Sequence, residues 1–297
     1  MKKKCITRRD FLRDGATFAV ASSLMLQLPE KVFAQEEKKS RVVLIRHPDV
    51  LGKNKLPRED IIGEMLTQAV TTLMDTSHAE QAWKKLIRPT DIVGIKSNVW
   101  HYLATPPALE RAISQGLKTT GVSEKNIGID DRGVLSNSIF QKATALINVR
   151  PLRTHHWSGV GTLLKNYIMF VKNPSAYHGD TCADLAKIWN LPVVRGKTRL
   201  NILVLLTPLF HSVGPHSFNP QYTWPYQGLL VGLDPVAVDS TGVRILIAKR
   251  RDYFQEDRPL NPPAKHVFLA DTRHHLGVAD PAKIELIKLG WQEDSFI

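Results

Sequence analysis

Apolar and polar residues follow two different periods along this chain. Short apolar runs predict strands over 41–46, 92–96, 126–129, 145–149, 200–206 and 229–232. Apolar residues at three- and four-residue spacing predict helices over 58–74, 79–87, 106–117 and 236–248, and a further helix is expected near 271–276. Strands that alternate with helices are typical of an α/β fold, with a mostly parallel sheet flanked by helices. The length after residue 34 fits one large domain, so we expect a single α/β domain over 35–297.

Functional groups are expected where the predicted strands end, because ligands of such sheets bind beyond the carboxyl ends of the strands. The polar residues at those ends are Lys96, Asn98, Asp130, Asp131, Arg153 and His155. Arginine and lysine in one crevice bind carboxylate or phosphate groups. Each cation alone is nearly as well explained as a solvated loop residue, but together they predict an anion site. Its predicted members are Lys96, Asn98, Arg153 and Asn166.

The segment 144–184 begins as a strand and continues as a stretch crowded with polar groups, which predicts a long loop. A loop of this length is uncommon unless it carries a functional site. The segment combines cations, imidazoles and carboxylates, at Arg153, His155, His156, Lys165, Asn166, His178, Asp180 and Asp184. This mixture is suited to holding a metal or an anionic ligand and to moving a proton.

Imidazoles and carboxylates in this segment are normal ligands of zinc, iron or nickel. The set predicted for a transition metal is His155, His178 and Asp184. Its spacing is not a recognised metal signature. Structural hydrogen bonding or contact with substrate is the alternative, so the cofactor stays open.

One carboxylate in the second half of the chain also suggests chemistry. Asp239 would lie inside an otherwise apolar helix, where an unpaired carboxylate is costly, so we expect it to meet a cation of the site. Asp234, at the start of that helix, is explained as its N-cap. The predicted catalytic residues are therefore His155, as acid–base group, Lys165 and Asp239.

Residues 1–34 predict an export signal, which would be absent from the mature fold. A basic start precedes an apolar run from Ala16 to Leu28, shorter than the roughly 20 residues that span a membrane. The stretch Thr7–Arg13 is similar to the twin-arginine consensus, and Ala34 ends a suitable cleavage site. We therefore expect a periplasmic or otherwise extracytoplasmic protein, carried by the twin-arginine translocase, with no membrane span in its mature form.

Charge and cysteine content exclude several classes of protein. The formal net charge is +12 at pH 7, but the cations are dispersed rather than arranged in a stripe, which argues against a nucleic-acid partner. Cys182 is the only cysteine after the predicted signal, so it forms no intramolecular disulfide and the chain alone ligates no iron–sulfur cluster. The sequence also has no phosphate loop, nucleophile elbow or dinucleotide fingerprint.

Several segments in this order resemble the domain of unknown function 362 family. They include DIVGIKSN at 91–98, LINVRPLRTH at 146–155, LKN at 164–166, His178 before ADL at 183–185, GP at 214–215 and GLDPVAVD at 232–239. Two positions depart from the family pattern: Ser97 stands where proline is usual, and Arg153 where lysine is usual. Some relatives join this domain to a ferredoxin-like cluster module, so the resemblance implies a redox partner protein. It implies no particular reaction.

Two functions are consistent with these patterns. The first is an exported enzyme that binds a small anionic substrate or cofactor, with metal-dependent redox chemistry as one form of it. The second is a non-catalytic binding or maturation partner of an exported metalloenzyme. A third, a metal-free hydrolase or transferase, would need a nucleophile or an activated water, and the sequence shows no nucleophile motif.

Overall fold

The protein is described here by a computed structural model of residues 39–212 and 217–297. The signal predicted at residues 1–34 lies outside these residues. The strands are β1 (Ser40–Arg46), β2 (Val93–Lys96), β3 (Ile127–Asp130), β4 (Ala145–His155), β5 (Gly159–Gly161), β6 (Thr198–Leu209), β7 (Gly228–Gly232) and β8 (Ile284–Gly290). The helices are α1 (Glu59–Leu73), α2 (Ala79–Leu86), α3 (Pro107–Thr119), α4 (Ser138–Lys142), α5 (Leu163–Asn166), α6 (Pro235–Phe254) and α7 (Lys265–Thr272).

The eight strands of the described residues form one sheet in the order β3-β2-β4-β6-β7-β1-β8, and β5 pairs with β4 as a short hairpin. The pairs β2–β3, β2–β4, β4–β6 and β1–β8 are parallel. Strand β7 runs antiparallel to both of its neighbours. The predicted α/β fold, with a mostly parallel sheet flanked by helices, is therefore confirmed.

The two faces of the sheet pack against different layers of helices. Side chains of a strand alternate between faces, so Val43 and Ile45 join the core under α1, α2 and α3. Val42 and Leu44 join the core on the opposite face, with residues of α4, α5, α6 and α7. Both faces are covered, which explains why β4 and β7 are buried along their whole length.

Local signals account for the start of the long helix α6. Asp234 has an extended backbone, and its side chain accepts hydrogen bonds from the amides of Val236 and Ala237. Pro235 occupies the first turn, where its missing N–H has no helical partner to lose. The N-cap predicted for this helix is thereby confirmed.

Two predictions about the chain path were wrong. The segment predicted to be a long loop continues as strand to His155, and every residue of β4 is buried. The helix predicted near residues 271–276 is absent, since α7 ends at Thr272. In both places the tertiary packing determines the conformation of a segment whose local pattern is weak.

Within residues 39–212 and 217–297, no helix is both long and apolar enough to cross a membrane.

Candidate functional site

A cavity of about 310 Å³ lies beyond the carboxyl ends of β2, β3 and β4. Polar side chains from five segments of the chain line it, together with Trp100 and Trp157: Asn98, Asp131, Arg132, Arg150, Arg153, His155, Lys165, Asn166 and His178. Its position agrees with the general rule for ligands of open α/β sheets. Of the predicted anion-site residues, Asn98, Arg153 and Asn166 line the cavity, whereas Lys96 lies below its floor.

Two buried arginines of β4 face this cavity. Arg150 and Arg153 are each 4% exposed, and no carboxylate in the described ranges forms an ion pair with either. Nε and Nη1 of Arg153 and Nε of Arg150 are buried without a hydrogen-bond partner. Burial lowers the pKa of Arg150 to about 10, and burial with the neighbouring Arg150 charge lowers the pKa of Arg153.

An irregularity in the sheet brings these two arginines together. Strict alternation along a strand would direct Arg150 and Arg153 to opposite faces. Pro151 pairs with Val204 of β6, but Arg153 pairs with Leu209, so the regular register ends between them. Such irregularities redirect side chains near functional sites. Gly161 on β5 adds room, because a Cβ there would lie 2.9 Å from Nη2 of Arg150.

An aromatic side chain supports the outer arginine. The guanidinium of Arg153 lies over the ring of Trp100, with its carbon 4.1 Å from the ring centroid. Trp100 in turn makes edge contacts with Tyr102 and Phe218. Stacking of this kind holds the arginine in place without using its N–H groups, which stay available for a ligand.

Lys96 and Asn166, both predicted to bind the anion, are hydrogen-bonded to one another at the base of the cavity. The Lys96 ammonium donates to Asp131, to the Ser97 carbonyl at 2.8 Å and to Oδ1 of Asn166 at 3.2 Å. These three acceptors use all three of its donors. Burial opposes ionisation of Asp131, but the charge and hydrogen bond of Lys96 outweigh it and lower the pKa of Asp131. Lys96 is therefore a structural cation, contrary to the prediction.

The side-chain amide nitrogen of Asn166 also uses its N–H donors within the protein. Its nitrogen lies within hydrogen-bond distance of the Lys96 carbonyl, Oδ1 of Asn148 and the Val149 carbonyl. These bonds join the end of α5 to β2 and β4, so Asn166 positions the helix and does not offer the free amide that was predicted.

Lys165, on the same helix, faces the cavity with few partners. It is 3% exposed, its nitrogen lies 3.3 Å from Sγ of Cys182, and it lies 5.9 Å from the centroid of the Trp157 ring. Burial lowers its pKa to about 8, and the charges of Arg150 and Arg153 act in the same direction against the influence of Cys182. An appreciable fraction of this amine is therefore neutral at neutral pH.

Asp239, predicted to be catalytic, lies behind the helix that carries Lys165. Its two oxygens accept hydrogen bonds from the Thr162 hydroxyl at 2.6 Å and from the amides of Leu163 and Leu164 at 2.9 Å. Full burial raises its pKa to about 7, although these hydrogen bonds favour the ionised form. Asp239 does not line the cavity and forms no ion pair within the described residues, although the charge of Arg150 acts on it. Its hydrogen bonds make it a positioning residue for α5.

Two imidazoles line the cavity in their neutral form. Burial, followed by the charges of Arg153 and Lys165, lowers the pKa of His155 far below its usual range. Nδ1 of His155 accepts from the Trp157 amide at 3.2 Å, which places its proton on Nε2. His178 stacks on Trp157 at 3.9 Å between ring centroids, and burial lowers its pKa to about 4.

The predicted metal set does not come together. Asp184 is bonded to Lys187 at 2.8 Å, His274 at 3.1 Å and Arg273 at 3.4 Å, and does not line the cavity with His155 and His178. Across residues 39–212 and 217–297, no three His, Cys, Asp or Glu side chains are placed to hold one ion. Asp184 and His274 are 90 residues apart in the chain, so no local sequence pattern could predict that they pair.

A family model matches the part of the chain that forms the cavity. The family described as Domain of unknown function (DUF362) matches residues 95–244, just over half of the 297 residues. The chain belongs to the DUF362 family. No curated protein and no solved structure matched the chain.

The DUF362 match includes every residue that defines the cavity. It begins within β2 and ends within α6, whereas β1, β8 and α7 lie outside it. Arg150, Trp100 and Trp157 are among the cavity residues that the sequence did not predict. Arg150 lies three residues before Arg153, and regular alternation along a strand places two such residues on opposite faces, so the sequence gives no signal that they share a site.

A buried histidine behind the DUF362 cavity makes stability depend on pH. His266 is fully buried, both of its ring nitrogens lack a partner in the described chain, and burial lowers its pKa to about 3. In the unfolded chain His266 has an ordinary histidine pKa. Between about pH 6.5 and 3 its imidazole therefore binds a proton in the unfolded chain but not in the folded chain. Stability is therefore fully present above about pH 6.5 and is lost as the pH falls toward 3.

We expect His266→Leu to weaken this acid sensitivity. Between pH 6.5 and 5, His266 alone costs the wild type about 2 kcal/mol of unfolding free energy, and the variant avoids this loss. Urea unfolding at both pH values measures the difference. His78→Leu, at an exposed position, is the matched control and should keep the wild-type slope. Equal slopes for His266→Leu and wild type would contradict the assignment.

Proposed function

We propose that this protein is an enzyme that binds a small organic acid or phosphate compound in the cavity between Arg150 and Arg153. The observation that carries the proposal is the pair of buried guanidinium groups with unpaired N–H donors. A buried cation without a partner is strongly unfavourable, at about 3–5 kcal/mol in typical proteins. A bound carboxylate or phosphate supplies the missing acceptors and accounts for the arrangement.

The cavity also supports chemistry on the bound anion. Lys165 offers an amine that is partly neutral near pH 7, and the neutral rings of His155 and His178 face the same space. A general acid or base works best when its pKa lies near the working pH, which Lys165 satisfies. Trp100 and Trp157 add apolar surface to the same cavity, and apolar walls strengthen the electrostatic contacts of charged groups beside them.

We place no metal in the cavity, because no three His, Cys, Asp or Glu side chains of the described residues are positioned to hold one ion. Catalysis is thus assigned to the side chains themselves. The alternative of a non-catalytic binding partner shares the anion site and differs only in lacking turnover.

Calorimetric titration of the mature protein tests the anion site. The ligands are inorganic phosphate, lactate and 2-hydroxyglutarate, with neutral glycerol as the comparison. We expect saturable binding of at least one anion and none of glycerol. Because the arginines are buried, the affinity should depend less on salt than a surface site does. Absence of binding by all three anions would overturn the proposal.

We also propose that the protein is exported by the twin-arginine pathway. The support is the sequence alone, in which Arg8 and Arg9 precede Asp10, Phe11 and Leu12. Replacing both arginines, as Arg8→Lys/Arg9→Lys, should abolish export, since the translocase recognises the guanidinium pair. Fractionation of cells that express either form measures this. Export of the double variant at the wild-type level would contradict the route.

A further inference from the structure

The two buried lysines next to the cavity differ in what they can do. Lys96 gives all three of its N–H groups to oxygen acceptors, one of them the carboxylate of Asp131. Among the described residues, the Lys165 ammonium donates to one acceptor, the sulfur of Cys182 at 3.3 Å. A thiol sulfur is a weak hydrogen-bond acceptor. Lys96 is therefore fixed in an ion pair, whereas the amine of Lys165 faces the cavity with unused bonding capacity.

The surroundings of Lys165 favour a nucleophilic amine. It is almost fully buried, it has no carboxylate partner among the described residues, and Arg150 and Arg153 line the same cavity. Desolvation and neighbouring cations are the two means by which enzymes activate lysine as a nucleophile. Burial lowers the pKa of Lys165 to about 8, so a larger fraction of this amine is neutral at pH 7 than for an ordinary lysine.

We propose that Lys165 condenses with the carbonyl carbon of a small oxo acid to form an imine, while Arg153 and Arg150 hold the acid group. This inference rests on the proposed anion site and narrows its ligands to anions that contain a ketone or aldehyde. The cavity suits such a ligand, because its cations and its amine belong to neighbouring elements, β4 and α5, that line one space.

The step balances without an added oxidant or reductant. The nitrogen lone pair of Lys165 attacks the carbonyl carbon, and the C=O π electrons move to oxygen. The carbinolamine then loses that oxygen as water, which takes both amine protons, and a C=N bond remains. The neutral His155, with its proton on Nε2, and His178 line the cavity and are placed to pass protons to and from the oxygen.

Reductive trapping tests the imine directly. Mature protein is incubated at pH 7 with sodium cyanoborohydride and glyoxylate, pyruvate or 2-oxoglutarate, and then digested and sequenced by mass spectrometry. We expect Lys165 to gain the mass of the acid less one oxygen atom, at least tenfold faster than any exposed lysine. Lactate or 2-hydroxyglutarate, which lack the carbonyl, should suppress the adduct by occupying the arginines.

Variants separate the imine from the anion site. Lys165→Arg keeps the charge but cannot form an imine, so it should bind the hydroxy acids and give no adduct at residue 165. Lys172→Arg, at an exposed lysine nearby, is the matched control and should leave trapping unchanged. Because the adduct is mapped in the wild type, the test does not depend on whether the variant folds.

The outcomes distinguish the two proposals. Hydroxy acid binding without an adduct at Lys165 for any of the three oxo acids would overturn the imine and leave the anion site standing. Adducts confined to exposed lysines, or unaffected by the hydroxy acids, would also overturn it. If no anion binds at all, the anion site itself is wrong.

Discussion

Arg153→Met should bind the anion that titrates into the wild type roughly 100-fold more weakly or worse, without losing stability. Loss of a buried, hydrogen-bonded charge contact typically costs about 2–5 kcal/mol of binding free energy. Arg153 has two buried N–H groups without a partner, so those contacts are the ones a ligand would complete. Methionine keeps much of the aliphatic packing against Trp100 and removes the guanidinium.

The same substitution should leave the ligand-free protein as stable as the wild type, or raise its melting temperature. The wild type holds an unpaired buried charge whose pKa is already lowered by burial and by Arg150. Replacing such a charge with an apolar group is commonly neutral or stabilising. Proteins accept destabilised side chains of this kind at functional sites.

Calorimetry with thermal unfolding on each protein measures both effects. Arg195→Met is the matched control, since it removes one positive charge from an exposed arginine and should leave both binding and stability near the wild type. A large fall in melting temperature with unchanged anion affinity for Arg153→Met would show that the arginine is structural.

Lys96→Met should have the opposite effect on stability, lowering the unfolding free energy by about 3–5 kcal/mol. The carboxylate of Asp131 is 6% exposed, and Lys96 is the cation that pairs with it. Without Lys96 this charge is buried and unpaired, and the Ser97 carbonyl and the Asn166 amide oxygen each lose a donor. Urea unfolding at pH 7 measures the change.

A second substitution tests whether the pair is the cause. Lys96→Met/Asp131→Asn removes both charges, and the asparagine oxygen can still accept from the Val99 amide, so part of the lost stability should return. Lys187→Met is the control, because its pair with Asp184 is exposed and such pairs contribute about 0–1 kcal/mol. A loss below 1 kcal/mol for Lys96→Met would contradict a structural role for the pair.

These results would separate two cations that look alike in the sequence. Lys96 and Arg153 both follow or end apolar strands, and both were predicted to bind the anion. The structure distinguishes them by their partners, since the first has a full set of acceptors and the second lacks acceptors for Nε and Nη1. Lys96→Met should therefore lower the free energy of unfolding, whereas Arg153→Met should leave it unchanged or raise it.

The sequence by itself determined the elements and the edge of the sheet where the site lies. Strands such as β2 and β7 and helices such as α1 are visible because each buries a face whose apolar spacing depends only on local geometry. The family segments likewise marked the stretch that contains Arg153, Lys165 and Asp239.

Only the tertiary structure decided which of these residues meet. The register change between Pro151 and Arg153 depends on pairing with β6, some fifty residues away, so no local pattern placed Arg150 in the cavity. Asp239 caps α5 and Asp184 pairs with His274 through contacts that join distant segments. Hydrogen-bond partners and burial are properties of the assembled chain, whereas periodicity is a property of each segment, and that difference is the physical reason.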